Sequence, residues 1–349
     1  MRNLLITLEY PPARGGVARY LETIVSAFPD QFRVWTSSEG SEAFMGTQVR
    51  TLLSKQVWPH WLPALRDAVA SRKDYDKLWF SHVLPLGYVG LVMRWFWRKP
   101  YVIMLHGLDF RLACRSAWKR TLLRLVLNHA ELVVGNTKTL CGEVRAFCPE
   151  LQPLVIYPTL PSSMRTLSPV LHTDRPLNLL TVSRLVGRKN HQTVIRAIEG
   201  MKDVHYHIVG SGPLEKPLRT LVHELGLNER VTFSPGVSDK ELQEAYQGAD
   251  LFVLSVLMDQ VDIEGFGIVY LEAGYAGLPI IATDLPGVRE ALHEEGSVML
   301  SEPTVEHVRE AIEALRNVER RSSMGEVSRY FVDAHFHAEK QMEKLKPYV

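Results

Sequence analysis

The sequence predicts an α/β protein of two doubly wound, Rossmann-like domains, and three observations carry that prediction. Short apolar runs alternate with helix-period stretches along both halves of the chain, the pattern of parallel sheets covered by helices. The chain of 349 residues is long for one core, and Pro158, Pro161, Pro169 and Pro176 fall in one stretch with few periodic apolar residues, which marks a linker. Strand-to-helix loops in both halves carry glycines where a helix begins, so that an anion can approach free backbone N–H groups. No repeat of solenoid period is present.

In the first half, Leu4–Leu8, Phe32–Thr36, Lys77–Ser81, Tyr101–Leu105, Leu132–Val134 and Leu154–Tyr157 read as buried strands. The loop Glu9–Gly16, ending Gly15-Gly16, leads into a helix over Val17–Ala27. A short helix is expected within Val57–Arg72, a longer apolar one over Leu86–Lys99, and a basic one over Arg111–His129 with arginines at 111, 115, 120 and 124. Asn136-Thr137 is a capping signal for the next helix. His106-Gly107 stands at the C-terminal end of a strand, the edge at which open parallel sheets hold ligands, so His106 is a candidate hydrogen-bonding or acid/base group as well as a structural one.

The second half begins with the strand Leu177–Val182 and the loop Ser183–Asn190, then a helix over Thr193–Ile198. Arg184 and Lys189 flank that loop, and two fixed cations beside a helix start suit a diphosphate. His205–Val209 is a strand ending in Gly210-Ser211-Gly212-Pro213, which lacks the third glycine of a dinucleotide fingerprint and so supports an NAD site only weakly. Further strands are expected at Val231–Phe233, Leu251–Leu254, Pro279–Thr283 and Val298–Leu300. Helices are expected at Leu214–Leu225, Asp239–Gln247, Gly287–Leu292, Val305–Val318 and Ser328–Met342. Between two of the strands lies Asp262–Glu272, reading D-I-E-G-F-G-I-V-Y-L-E, with Glu264 and Glu272 on either side of Gly265, Phe266, Gly267 and Ile268. Gly277 and Pro279 stop the helix that follows.

Composition excludes several classes. Hydrophobic content is 46% and charged content 23%, a globular balance. Cys114, Cys141 and Cys148 give neither a disulfide framework nor zinc-ligand spacing, and suit a reducing compartment. Met1–Leu8 reads as a first strand rather than a signal peptide, and no run of membrane-spanning length occurs, so a cytoplasmic protein is expected. Net charge is +1, but residues 1–160 hold 20 basic and 12 acidic side chains while the remainder hold 20 and 27. That asymmetry fits either an anionic partner of the first half or attraction between the halves. Arg94-Trp95-Phe96-Trp97-Arg98-Lys99 suits a helix end at an anionic bilayer surface, or an aromatic core.

The chain resembles the retaining, nucleotide-sugar-dependent glycosyltransferases of family 4, which have the two-domain GT-B fold. The likeness is strongest at Ser183–Lys189, Val209–Pro213, Val231–Ala249 and Glu264–Pro279, and E-G-F-G-I-V-Y-L-E-A is similar to the phosphatidylinositol-mannoside mannosyltransferase branch. The resemblance implies a GT-B architecture with the domains facing across a cleft. Residues 1–160 would form the acceptor-side domain and 161–327 the nucleotide-sugar domain, with a C-terminal helix in 328–349 crossing back. It implies that Arg184 and Lys189 grip the diphosphate and that Glu272 holds the ribose. Glu264 and the N–H groups of Gly265, Phe266, Gly267 and Ile268 would hold the donor sugar and phosphate. Pro235–Val237, with Val237 at its end, would sit by the base, Gly16 by the phosphates, and His106 in the sugar site. The expected partners are a nucleotide-diphosphate sugar, GDP-mannose or a UDP-sugar, and a glycan or lipid-linked acceptor. No metal, cofactor or nucleic acid is expected. One departure from the family is Tyr157-Pro158-Thr159-Leu160, where an Asn-Gly pair is common. A GT-B epimerase or hydrolase and a non-catalytic nucleotide-sugar-binding subunit are the competing readings.

Overall fold

The computed structural model describes residues 2–13, 15–44, 46–170, 175–258 and 263–349. It divides into two compact units, Met1–Thr159 with Ala338–Val349, and Leu160–His337.

The first unit is built on seven parallel strands: β1 (Asn3–Thr7), β2 (Phe32–Thr36), β3 (Thr47–Val49), β4 (Lys77–Phe80), β5 (Tyr101–Leu105), β6 (Leu132–Gly135) and β7 (Leu154–Val155). Their order across the sheet is β3-β2-β1-β4-β5-β6-β7. All five residues of β1 are buried because helices cover both faces of the sheet. Leu4 and Ile6 join Phe80, Tyr101 and Ile103 on one side. Leu5 joins Val34, Trp79, Val102 and Met104 on the other. Edge strand β3 is not apparent in the sequence, since Thr-Gln-Val is too short and too polar for a periodic signal.

The second unit has six parallel strands: β8 (Leu177–Val182), β9 (Val204–Val209), β10 (Val231–Ser234), β11 (Leu251–Leu254), β12 (Ile280–Thr283) and β13 (Ser297–Leu300). Their order is β10-β9-β8-β11-β12-β13. Each sheet therefore reverses its winding once, between β1 and β4 in the first and between β8 and β11 in the second. Loops at the C-terminal ends of strands at such a reversal diverge and leave room for a ligand.

Three helices differ from expectation. The basic stretch is two helices, Leu108–Cys114 and Ala117–His129, because Ser116 between them is extended. The helix beginning at Val305 ends at Ala314, and Asn317 then caps a new helix, Val318–His335, by accepting from the Arg320 N–H at 2.7 Å. That 18-residue helix packs in the second unit, so the return to the first begins at Ala338 rather than Ser328. The short helix Ala338–Glu343 and the tail after it close the first unit. Met342 and Leu345 enter its core, and the Tyr348 carbonyl accepts from buried Lys77 Nζ at 2.8 Å.

Candidate functional site

The reversal between β8 and β11 sets the site in the second unit. The loop after β8 carries Arg184, Arg188 and Lys189 and ends at Asn190, whose φ of 55° turns the chain into the helix His191–Ala197. The segment after β11 leads to Glu264 and the helix Ile268–Tyr275. Asp262, the first residue of the expected Asp262–Glu272 motif, lies outside the described residues. The Leu257 N–H donates to the Arg188 carbonyl at 2.8 Å, so the two strand exits are tied by backbone.

Glu264 is the focus of this site. It is 9% exposed, and one oxygen, Oε2, accepts from Lys189 Nζ and from Arg188 Nη1, both at 2.5 Å. Burial alone would raise its pKa, but the two cations overcome that and hold it at about 2. A buried carboxylate is tolerated here because it is paired twice. Arg188 thereby joins the cations that the sequence singled out. Lys189 is buried and converges on Glu264 as its neighbour Arg188 does, whereas Arg184 is exposed and its guanidinium has no partner among the described residues. Nothing in the Arg188-Lys189 dipeptide distinguished the first residue from a solvated loop cation.

Backbone geometry shapes the same loop. Gly267 begins the helix Ile268–Tyr275 with φ 80°, and a Cβ there would lie 2.6 Å from the Tyr270 ring, so only glycine fits. A Cβ on Gly287 would lie 1.7 Å from the Gly265 carbonyl oxygen, which shows how closely the neighbouring turn supports the loop. Phe266 is buried and packs edge-to-face on Phe336, with ring centroids 5.4 Å apart. Ile268 supplies the first helical residue and is half-buried. Its N–H lies in the first turn, where donors lack intrahelical partners.

Glu272 lies deeper in that helix. It is 1% exposed, and its Oε2 accepts from the buried Tyr246 hydroxyl at 2.7 Å. Pro235-Gly236-Val237 forms the turn after β10, with Gly236 at φ 68° and Val237 half-buried. The Gly210–Gly212 loop serves packing. A Cβ on Gly210 would meet the Ser183 carbonyl oxygen at 2.0 Å, so these glycines let the β9 exit lie against the loop bearing Arg184. His191 is buried beside it and holds Ser183 Oγ through Nε2 at 2.9 Å. Its burial, and then the charge of Lys189, push its pKa down to about 4.

The first unit holds the other two expected residues. Gly16 opens the helix Gly16–Ala27, and Tyr20 on that helix packs edge-to-face on the His106 ring at 5.9 Å. His106 is half-buried, and its Nε2 is shielded from solvent without a hydrogen-bond partner among the described residues. Desolvation pulls its pKa down to about 4 against the opposing pull of Asp109. Asp109 orders this end of β5. Its Oδ1 accepts from the N–H groups of His106 and Gly107, each at 3.1 Å, which holds Gly107 at φ 103°. The His82 ring lies 6.0 Å from that of His106, and His82 Nδ1 bonds Ser81 Oγ at 2.9 Å. Asp109 and His82 were not singled out in the sequence, where neither stands in a recognisable spacing.

The aromatic end of the helix Gly87–Trp97 is exposed rather than core: Trp95 is 52% exposed, Phe96 72% and Trp97 38%. Trp118 on the helix Ala117–His129 is 61% exposed. Among the described residues no helix is long and apolar enough to cross a membrane.

Comparison with known proteins agrees with this architecture. Residues 14–159 match the family model described as Glycosyltransferase Family 4, and residues 167–330 match Glycosyl transferases group 1. A GDP-mannose-dependent alpha-(1-6)-phosphatidylinositol monomannoside mannosyltransferase of Mycolicibacterium smegmatis is 28% identical, over 94% of this chain and 93% of its own. An enzyme of the same description from Mycobacterium tuberculosis is 25% identical over 100% of this chain and 98% of its own. Among solved structures, Anabaena Alr3699/HepE in complex with UDP superposes with a TM-score of 0.82 at 18% identity, covering 99% of each chain.

Proposed function

The chain belongs to the family 4 glycosyltransferases of GT-B fold, and we propose that it transfers mannose from GDP-mannose to a lipid-linked acceptor with retention of configuration. The observation that carries the reading is the pair of cations, Arg188 and Lys189, converging on buried Glu264 where the helix Ile268–Tyr275 begins. That arrangement holds the Lys189 ammonium beside a helix start, where a diphosphate leaving group would meet it, with Arg188 left to keep Glu264 paired. The names of the full-length relatives support mannose, a guanine nucleotide and a phosphatidylinositol-linked acceptor. The UDP complex of a neighbour keeps a uridine donor as the second choice.

In the proposed reaction the bond between the sugar anomeric carbon and the diphosphate oxygen breaks. An acceptor hydroxyl oxygen bonds to that carbon from the same face, and its proton passes to the departing diphosphate. Negative charge grows on the leaving group, so prepositioned cations are the main catalytic contribution. Lys189 and Arg184 would supply them without a metal. Glu264 and the N–H groups of Gly265–Ile268 would orient the sugar, and Glu272 the ribose. His106, neutral at physiological pH, would act in the sugar site by hydrogen bonding.

The exposed Trp95, Phe96, Trp97 and Trp118, with exposed Arg94, Arg98 and Lys119, would rest on an anionic bilayer and give access to a lipid acceptor. Lys99 contributes less, since its ammonium is already bonded to the Tyr75 carbonyl at 2.6 Å. The protein would then be peripheral on the cytoplasmic face. The test is incubation with GDP-mannose and UDP-glucose, each with phosphatidylinositol monomannoside in vesicles and without acceptor. Acceptor-dependent release of GDP supports the reading. Equal release without acceptor favours a hydrolase, and binding without turnover favours a non-catalytic subunit.

A further inference from the structure

We infer that Arg188 is a positioning residue that holds Glu264 in place while Lys189 turns to the donor diphosphate. This rests on the donor reading above. One carboxylate oxygen receives both cations, so like charges crowd a single anion in a buried site. An incoming diphosphate relieves the crowding by taking one of them. Both residues are held by backbone in the same short turn, Gly187–Lys189, and they differ in how readily the head group can turn away. The Arg188 carbonyl is tied to the Leu257 N–H, on the segment that runs from β11 toward Glu264. Lys189 ends a short turn, its N–H on the Val186 carbonyl, and the chain leaves it for another helix. An ammonium on a flexible stem swings more readily than a planar guanidinium held in a fixed direction. If Lys189 turned away with no second cation present, Glu264 would be left buried and unpaired, so the lysine would be retained by its own carboxylate. Arg188 removes that constraint.

The experiment has a ligand-free arm and a nucleotide arm. Melting temperatures are measured for the full chain and for Arg188→Gln, Lys189→Gln, the double variant, and the double variant with Glu264→Gln added. Either cation alone should suffice, so the double variant should lose clearly more than the two single losses summed, and removal of the Glu264 charge should recover most of it. Losses that merely add would overturn the inference. In the second arm, GDP and UDP are titrated calorimetrically into wild type, Arg188→Gln, Arg188→Lys and Arg188→Gln/Glu264→Gln. Arg188→Gln should weaken the better nucleotide about tenfold or more, and Arg188→Lys much less. Glu264→Gln in the Arg188→Gln background should restore affinity to within about threefold, because Lys189 is then released. If affinity stays low, Arg188 contacts the diphosphate itself and the positioning role is wrong. If wild type binds neither nucleotide, the donor reading fails and takes the Lys189 half of the inference with it.

Discussion

The two sheets reverse their winding in the same way, yet side chains at or next to the two reversals have opposite electrostatic character. After β8 and β11, burial is compensated by ion pairs, and Glu264 stays charged against Lys189 and Arg188. After β4 and β5, burial is answered by loss of charge, and His82 and His106 both have lowered pKa values. Topology thus places loops where a ligand can bind, but the residues on them decide what kind. The first arrangement suits an anion, and the second suits neutral hydrogen-bonding partners such as sugar hydroxyls.

The largest expected effect comes from breaking the charged side of this comparison. Lys189→Ala should lower kcat/KM about a hundredfold, on the order of 3 kcal/mol, because the ammonium acts most strongly as charge develops on the leaving group. Activity within threefold of wild type would remove Lys189 from the chemistry. A pair of substitutions separates the two carboxylates. Glu272→Ala should weaken the bare nucleotide diphosphate as well as the intact donor. Glu264→Ala should weaken the intact donor more than the bare diphosphate. Calorimetry with both ligands decides it, and equal effects of both variants on both ligands would refute the division.

Much of the site was legible because its signals are local. The strand Leu251–Leu254, the glycines at 265 and 267 and the helix stop at Gly277 all follow from short-range rules, and each falls where the sequence placed it. Which cation meets Glu264 did not follow, since that depends on the direction in which the loop after β8 turns at Asn190. The breaks at Ser116 and near Leu315 were missed for a related reason, as apolar periodicity continues across both while the backbone does not. The exposure of Trp95, Phe96 and Trp97 was open, because a helix end shows no periodicity that tells core from surface.

A smaller effect contrasts the two kinds of burial through pH. Histidines kept neutral by folding, His106 and His191 with pKa values of about 4, contribute stability that is present above pH 6.5 and lost as pH falls toward 4. Each would cost up to about 3 kcal/mol at the low end. Glu264, held at about 2, contributes stability that is present above pH 4.5 and lost only below it. Melting should therefore weaken in two stages, and a melting temperature unchanged between pH 6.5 and 4 would contradict the histidine part. The smallest effect is on the surface of the first unit. Binding to anionic liposomes should fall as salt rises and fall again on Trp95→Ser with Trp97→Ser, while the fold is kept. Each basic group near such a surface adds about 1 kcal/mol, screened over roughly 8 Å. If the protein ignores anionic liposomes at low salt, the tryptophans serve something other than a membrane.

The proposed grip of the charged reversal on a nucleotide diphosphate, whose sugar passes to an acceptor, can be read in one assay. Its most direct measurement is transfer of radiolabelled mannose from GDP-mannose to phosphatidylinositol monomannoside in anionic vesicles, comparing wild type with Lys189→Ala. Label is expected in the lipid phase with wild type, in proportion to GDP released, and at about a hundredth of that rate with the variant. Label that stays water-soluble while GDP is released, or equal lipid labelling by both proteins, would contradict the proposal.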